Sequence, residues 1–270
     1  MTDTAITRPA KLDIARVIEG TIRVLGRNFV TYAVLALILS GLPAAVVALF
    51  QITALRGEDG VISMNTMFTG DYWAAASLGG IAALIFSAVL QGTLIYATVQ
   101  DLNGERPSIA DCLATGLRSF LPLIGVMFLF ILALAFGAVL LIVPAFMIGC
   151  AWCVAIPSLV ADRTGVFGAF SRSAELTRGN RWRIFGLGVV IWIVLLVIGA
   201  VFNAVTGVSA FGTDPAQTLN RALSPLALGL GVIRSTISAV IGATLISVLY
   251  VELRRLREGA APQWLAEIFS

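Results

Sequence analysis

Long apolar stretches separated by short polar segments dominate the chain, and they predict helices that cross a membrane. The longest stretch, residues 119–161, contains no charged side chain. As one continuous α-helix it would be roughly 65 Å long, at a rise of about 1.5 Å per residue. Because the hydrocarbon core of a bilayer is only about 30 Å thick, this stretch must cross twice. Val143 and Pro144 lie near its middle, where a proline interrupts a helix and predicts the turn.

Four further apolar stretches complete the pattern of an all-α integral membrane protein with six spans. Each is long enough to cross once, and Arg234 is the one charged residue inside them. Unsatisfied backbone groups are costly in lipid, so all six spans should be helices. We expect three hairpins within a single membrane domain covering residues 1–270. The predicted spans are 28–52, 73–99, 120–142, 144–161, 184–206 and 223–250.

A polar segment with amphipathic helical spacing precedes each predicted hairpin. From Ile14 onward, apolar residues recur at helical spacing, with arginines such as Arg16 on the other face. Ser108, with Asp111 three residues later, resembles a capping box. Either one unit is repeated three times, or three independent loops are amphipathic because each lies against lipid headgroups. Both interpretations predict short interfacial helices, at 12–27, 108–118 and 165–178. Residues 252–270 are predicted to form a cytoplasmic tail.

The lysine and arginine residues gather on one side of the predicted spans. Of the 18 in the chain, only Arg56 and Arg221 fall on the other side, and Arg234 falls within a span. The positive-inside rule therefore predicts that the basic side and both termini are cytoplasmic. The residues on the basic side are Arg8, Lys11, Arg16, Arg23, Arg27, Arg106, Arg118, Arg163, Arg172, Arg178, Arg181, Arg183, Arg254, Arg255 and Arg257.

Composition argues against catalysis. Charged residues make up 12% of the chain, about half of the ~25% that is typical of soluble domains. The sequence contains no histidine, which is the commonest metal ligand and acid–base catalyst. It also shows neither clustered carboxylates nor a nucleophile beside a base. We therefore expect no enzymatic activity, no cofactor and no metal site. Nucleic acid is not an expected partner either, because the basic residues are dispersed between apolar stretches.

The cysteines are expected to pack rather than to react. Cys150 and Cys153 have the spacing of a redox motif, but they lie in an apolar segment without the βαβ context of such motifs. Cys112 stands alone in a polar segment. Buried cysteines behave as small apolar residues, so packing is the favoured role.

Two features of the last span bear on partners. Small residues recur at every fourth position from Ala227 to Ser247, a pattern that lets helices approach closely. This stripe favours packing within the bundle, or a homodimer seam. Arg234 borders the stripe, and an arginine inside a membrane is a candidate functional residue. It could extend to the outer headgroups, pair within the chain, or bind an anionic lipid or ligand.

The segment between the fourth and fifth spans is the most distinctive in the chain. Residues 172–183 read RSAELTRGNRWR. Gly179 and Asn180 predict the end of a helix, and Trp182 is typical of an anchor at headgroup level. Glu175 can pair with an arginine three residues away on either side. The candidate headgroup-binding residues are Arg172, Arg178, Arg181, Arg183 and Trp182. The candidate structural residues are Trp152, Pro157, Glu175, Gly179 and Asn180.

The stretch from Trp152 to Arg183, with the ending at 250–255, resembles the YciC-like family of bacterial inner-membrane proteins. It also resembles the related membrane domain found beside some glycerophosphoryl diester phosphodiesterases. The resemblance implies a six-span protein of the bacterial inner membrane and no particular chemistry. Phosphodiester hydrolysis is not implied, because that catalytic domain depends on histidines and the chain has none.

Two functions are compatible with these patterns. The leading hypothesis is a non-enzymatic protein of cell-envelope or lipid homeostasis that binds anionic lipid headgroups or organises membrane partners. Basic residues beside a membrane contribute about 1 kcal/mol each to binding anionic lipid. The alternative is a small permease or channel for an amphipathic or anionic solute. Pro144 and Pro157 could break helices around its site, although the midplane carries few polar groups.

Overall fold

The computed structural model describes residues 11–55, 68–105, 108–140, 142–208, 218 and 221–258. Within these ranges the chain is helical and contains no strand. Six helical segments are long and apolar enough to cross a membrane. The expected class, an all-helical chain with six helices able to span a bilayer, is therefore confirmed.

The helices are numbered α1 to α9 in chain order, with one π-helical segment between the first two. They are α1 Ile14–Ala36, the π-helical segment Leu37–Gly41, α2 Leu42–Leu55, α3 Gly70–Leu102, α4 Ile109–Leu140, α5 Ile142–Trp152, α6 Ala155–Asp162, α7 Gly165–Thr177, α8 Arg181–Thr206 and α9 Pro225–Glu258.

The predicted boundary between 12–27 and 28–52 is a kink rather than a break. Asn28 has non-helical backbone angles, φ −113° and ψ 16°. Its side-chain amide donates to the carbonyl oxygen of Val24 at 3.3 Å. Beyond α1, the N–H of Leu42 bonds to the carbonyl oxygen of Leu37, which closes the π-helical turn. Pro43 follows directly and has no N–H to donate, which accounts for the local change of helical pitch.

The predicted segments 108–118 and 120–142 form the single helix α4, so a separate helix over 108–118 is wrong. The oxygen of the Ser108 side chain accepts from the Asp111 N–H at 3.1 Å, which makes Ser108 the predicted cap. The Asp111 carboxylate accepts from the Ser108 hydroxyl at 2.7 Å. Pro122 lies inside α4, and the helix continues through it.

The predicted span 144–161 is instead two helices, α5 and α6, with a break at Cys153 and Val154. Pro157 explains the position of the break. A proline cannot donate to the carbonyl four residues earlier, here that of Cys153, and its ring collides with that carbonyl. Pro144 lies in the first turn of α5, where a proline is tolerated.

Side chains of α7 satisfy the backbone groups that the break leaves free. The Ser173 hydroxyl donates to the carbonyl oxygen of Ala151 at 2.8 Å and accepts from the N–H of Val154 at 3.3 Å. The Thr177 hydroxyl also lies 3.2 Å from the Ala151 carbonyl oxygen. Both side chains are fully buried. Hydroxyl groups of α7 therefore bond to the backbone at the break, and these bonds fix α7 against α5 and α6.

The remaining boundaries agree closely with the sequence-based expectations. α3 extends the predicted span 73–99 by about one turn, and α7 matches the predicted helix 165–178. α8 begins at Arg181, slightly before the predicted 184–206. α9 continues beyond 223–250 to Glu258, so the first part of the predicted tail is helical. Residues 259–270 lie outside the described residues.

Helix α3 is central to the packing, since it contacts α1, α2, α4, α6 and α9. Buried side chains concentrate where α1, α4 and α8 begin and where α3, α6 and α9 end. We call this the packed end. At the opposite end, which we call the apolar end, many large apolar side chains are exposed. They include Phe50, Leu78, Phe136, Val205 and Leu226.

The small-residue stripe of α9 packs partly within the chain. Ala227, Ala243 and Ser247 are buried, whereas Ser235 is exposed. α9 also approaches α1 closely, because a Cβ on Gly20 would lie 3.0 Å from a side-chain carbon of Val248. The homodimer seam stays a prediction.

Candidate functional site

The turn between α7 and α8 carries most of the predicted site residues. α7 ends at Thr177, and Gly179 adopts φ +89°, a left-handed conformation that glycine tolerates best. α8 then begins at Arg181. The predicted helix stop at Gly179 is therefore confirmed, and it places α7 and the start of α8 around a common corner.

Asn180 and Arg183 hold the residues that precede α1. The side-chain oxygen of Asn180 accepts from the N–H of Leu12 at 3.1 Å. The Arg183 guanidinium donates to the carbonyl oxygen of the same residue. Leu12 is itself buried. Both side chains therefore serve a contact within the protein, and one guanidinium donor of Arg183 is already used there.

Arg172 lies among three carboxylates. Its Nε is 3.4 Å from an oxygen of Asp162, and its guanidinium is 3.5 Å from an oxygen of Glu175. It also pairs with Glu258 of α9. The predicted pairing of Glu175 with Arg172 is thus confirmed. With only 22% of its side chain exposed, Arg172 has its charge offset inside the protein.

Asp162 extends this arrangement into an ion network that joins α6, α7 and α9. It accepts from the Tyr250 hydroxyl at 2.8 Å and lies 3.6 Å from Arg254. Arg254 in turn pairs with Glu258 at 2.7 Å. The Asp162 side chain is only 14% exposed, so these contacts replace most of the water that would otherwise solvate it. The network stabilises the corner formed by α7 and the start of α8, where residues 172–183 lie.

Arg178 and Arg181 line a pocket of about 500 Å³, together with Ala174, Glu175 and Gly179. We call it the basic pocket. The Nε of Arg181 is buried and makes no hydrogen bond to the described part of the chain. Within that part, no carboxylate lies within ion-pair distance of either arginine. The two guanidinium groups therefore carry their charge without a carboxylate partner inside the described chain, and an anionic group in the pocket would supply one.

Trp182 lies beside the basic pocket with 86% of its side chain exposed. Its ring meets Phe185 edge to face, with the ring centres 6.2 Å apart. A tryptophan with an apolar body and a polar N–H is typical of the membrane–water interface. The other aromatic candidate, Trp152, packs against Phe170 with ring centres 4.5 Å apart. Trp152 thus has a packing role, as does the buried Pro157.

Arg234 lies far from this site. It is roughly 30 Å along α9 from Arg254, at about 1.5 Å per residue. Its guanidinium carbon is 5.1 Å from the centre of the Phe202 ring, a cation–π contact. Among the residues that the structure covers, no carboxylate pairs with it. Of the roles expected for Arg234, a contact within the chain is the one observed.

The sequence analysis missed the roles of Ser173, Thr177, Asp162 and Tyr250. A signal for the first two existed, because two small hydroxyl residues one helical turn apart follow a helix that contains a proline. Such side chains can bond to backbone groups beside a break in a membrane helix. No comparable local pattern predicts the Asp162–Tyr250 pair, since its members are 88 residues apart.

Over the described residues the chain is thus all-helical, with six helices long and apolar enough to span a membrane and a basic pocket at the packed end. Residues 157–253 match the model of a family described as a domain of unknown function, DUF7847. The match runs from α6 into α9 and includes all of residues 172–183. No curated protein and no solved structure matches the chain.

Proposed function

We propose that this is a non-enzymatic protein of the bacterial inner membrane, acting in cell-envelope or lipid homeostasis by binding anionic phospholipid headgroups. The observation that supports this proposal best is the basic pocket. Arg178 and Arg181 line it, and no carboxylate of the described chain lies within ion-pair distance of either. A phosphate presents several strong acceptor oxygens, and guanidinium groups bind them in charge-assisted pairs.

The topology that we propose orients this pocket toward the cytoplasmic leaflet. The packed end holds most of the basic residues, and the positive-inside rule would make that end cytoplasmic. The six spans would form three hairpins. Residues 12–27 and α7 would lie near the interface, a position that suits the exposed Phe167 of α7. The resemblance to the YciC-like family agrees with this location.

Lipid retention measured by native mass spectrometry tests the proposal. The purified protein, in mild detergent, would be titrated with dioleoyl phosphatidylglycerol and, separately, with dioleoyl phosphatidylcholine. We expect preferential retention of phosphatidylglycerol, and a loss of about tenfold or more in Arg178→Ala/Arg181→Ala, since each charged hydrogen bond contributes about 1.5–3 kcal/mol.

The matched control is Arg16→Ala/Arg23→Ala, which removes the same charge from exposed positions of α1. It should lose only the weak, non-specific part of the attraction. Equal retention by wild type and Arg178→Ala/Arg181→Ala would refute a headgroup site in the basic pocket. An equal loss in the two double variants would point to general surface charge instead.

The alternative, a permease or channel, receives less support. Transporter sites are often built at broken helices whose free backbone groups bind the substrate or ion. Here the break between α5 and α6 is occupied by Ser173 and Thr177. No solute is needed to satisfy it. Flux measurements in proteoliposomes would nevertheless test this function directly.

A further inference from the structure

An apolar groove of about 710 Å³ lies between α4, α5 and α8. Phe146 and Cys150 line it from α5, and Phe185, Gly188 and Trp192 line it from α8. Phe146 and Trp192 are each more than half exposed, so the groove opens sideways, toward the lipid that would surround the bundle. It has the character of a binding site for an apolar chain.

The groove continues the basic pocket along one face of α8. Arg181 lines the pocket, and Phe185, Gly188 and Trp192 line the groove. Successive members of this series are three or four residues apart, so they share one helical face. From Arg181 to Trp192 the face is roughly 16 Å long. One leaflet of the hydrocarbon core is about 15 Å thick, so the groove matches the depth of a single leaflet.

The charge at the mouth of the groove indicates which occupant fits. Arg181, which lines the pocket, lies about one helical turn before Phe185, which lines the groove, so the pocket and the groove adjoin on α8. Phe146 and Phe185 meet edge to face within the groove, with ring centres 5.0 Å apart. A glycerophospholipid carries an anionic phosphate directly above its apolar chains. The protein surface presents the matching series, the basic pocket followed by the apolar groove.

We infer that the groove binds one acyl chain of an anionic glycerophospholipid while the basic pocket binds the phosphate of the same molecule. This inference rests on the proposed function, because it assigns the headgroup to Arg178 and Arg181. It adds that recognition extends to the chain. A water-soluble glycerophosphate without chains should therefore bind more weakly than the intact lipid.

A matched pair of glycine substitutions in α8 tests the inference. A Cβ at Gly188 or at Gly199 would meet nothing within 4 Å, so a side chain can begin at either position without a clash. Only Gly188 lines the groove. We expect Gly188→Leu to reduce retention of dioleoyl phosphatidylglycerol about fivefold, because lateral packing in lipid depends on van der Waals contact. Gly199→Leu should bind like wild type.

The outcomes separate this inference from the headgroup proposal. Unchanged retention in Gly188→Leu, with a loss in Arg178→Ala/Arg181→Ala, overturns the groove and leaves the headgroup site intact. A loss in Gly188→Leu alone overturns both, because the groove would then act without the arginines. Competition by glycerophosphoglycerol as strong as that by the intact lipid also overturns the groove. So does a lower dimer fraction in Gly188→Leu with unchanged lipid retention, since a second copy would then be the occupant.

Photo-crosslinking of the wild-type protein gives an answer that does not depend on the folding of any variant. The probe is phosphatidylglycerol with a diazirine in one acyl chain, and the adducts are located by peptide mass spectrometry. Adducts within 145–153 or 184–192 support the inference. Adducts spread evenly over the exposed apolar surface overturn it.

Discussion

The packed end and the apolar end consist of the same long helices, yet they are held together differently. At the packed end, polar contacts cross between helices, as in the buried bond of 2.9 Å between the Tyr32 and Thr98 hydroxyl oxygens. At the apolar end, side chains such as Leu49 and Val201 are mostly exposed. In lipid this exposure has little cost, because the surrounding chains are as apolar as the side chains. Specific geometry is therefore concentrated at the packed end, beside the basic pocket.

The largest expected effect comes from removing the hydroxyls that fill the break between α5 and α6. Ser173→Ala/Thr177→Val should lower the free energy of unfolding by about 3 kcal/mol, because buried backbone groups lose their partners. Thermal unfolding in detergent measures the change. The control, Ser235→Ala/Thr53→Val, makes the same chemical change at exposed positions and should have almost no effect. Similar losses in both variants would contradict the contrast between the two ends.

A smaller loss is expected from opening the ion network. Asp162→Ala removes the acceptor of Tyr250 and one partner each of Arg172 and Arg254. We expect destabilisation of about 2 kcal/mol, reduced because Glu258 still pairs with both arginines. Asp71→Ala, at the exposed start of α3, should change stability by only a few tenths of a kcal/mol. An unchanged unfolding temperature in Asp162→Ala would show that the network contributes no stability.

Lysine substitutions compare the contributions of Arg178 and Arg181 to binding in the basic pocket. Lysine keeps the charge but lacks the guanidinium Nε. Arg181→Lys should weaken retention of phosphatidylglycerol about threefold to fivefold, because an ammonium cannot bind a phosphate through two parallel N–H donors as a guanidinium does. Arg178→Lys, at an exposed position, should retain nearly wild-type binding. If the two variants bind equally well, the partly buried Arg181 has no larger role in recognition than the exposed Arg178.

The smallest effect is expected at the apolar end. Arg234→Ala removes a cation–π contact with Phe202, which at an exposed site contributes about 0.5–1 kcal/mol. Unfolding should shift only slightly, and retention of phosphatidylglycerol should not change. Loss of lipid retention in this variant would place an anion site at the apolar end, contrary to the proposal made here.

The spans could be predicted from the sequence, whereas the pairing of the arginines within the protein could not. Uncharged length decides whether a helix can cross a bilayer, and that quantity is read directly from the chain. Whether an arginine is free depends on residues distant in sequence, as with Arg172 and Glu258, which are 86 residues apart. The density of basic residues over 172–183 thus drew attention to the corner that carries the basic pocket. It could not separate Arg178 and Arg181 from the internally bonded Arg172 and Arg183.

The predicted helix boundaries were wrong where a proline could lie within a helix, begin one or break one. Pro122 lies inside a continuous helix, Pro144 lies in the first turn of one, and Pro157 accompanies a break. The local sequence does not decide between these outcomes, because neighbouring helices can supply partners for backbone groups. At Pro157, Ser173 and Thr177 bond to the backbone on both sides of the joint. That information resides in tertiary contacts rather than in the local sequence.

The hydrogen bonds that Asn180 and Arg183 make to Leu12 have a consequence for the order in which the helices assemble. The amide and carbonyl of Leu12 bond to side chains at the start of α8, and the amide partner is 168 residues further along the chain. During synthesis, the first helices must enter the bilayer long before those partners emerge from the ribosome. The corner that carries the basic pocket can therefore close only late, once α8 and the Glu258 end of α9 have been translated. The contacts to Leu12 and to Glu258 would then be a property of the finished protein and not of any insertion intermediate.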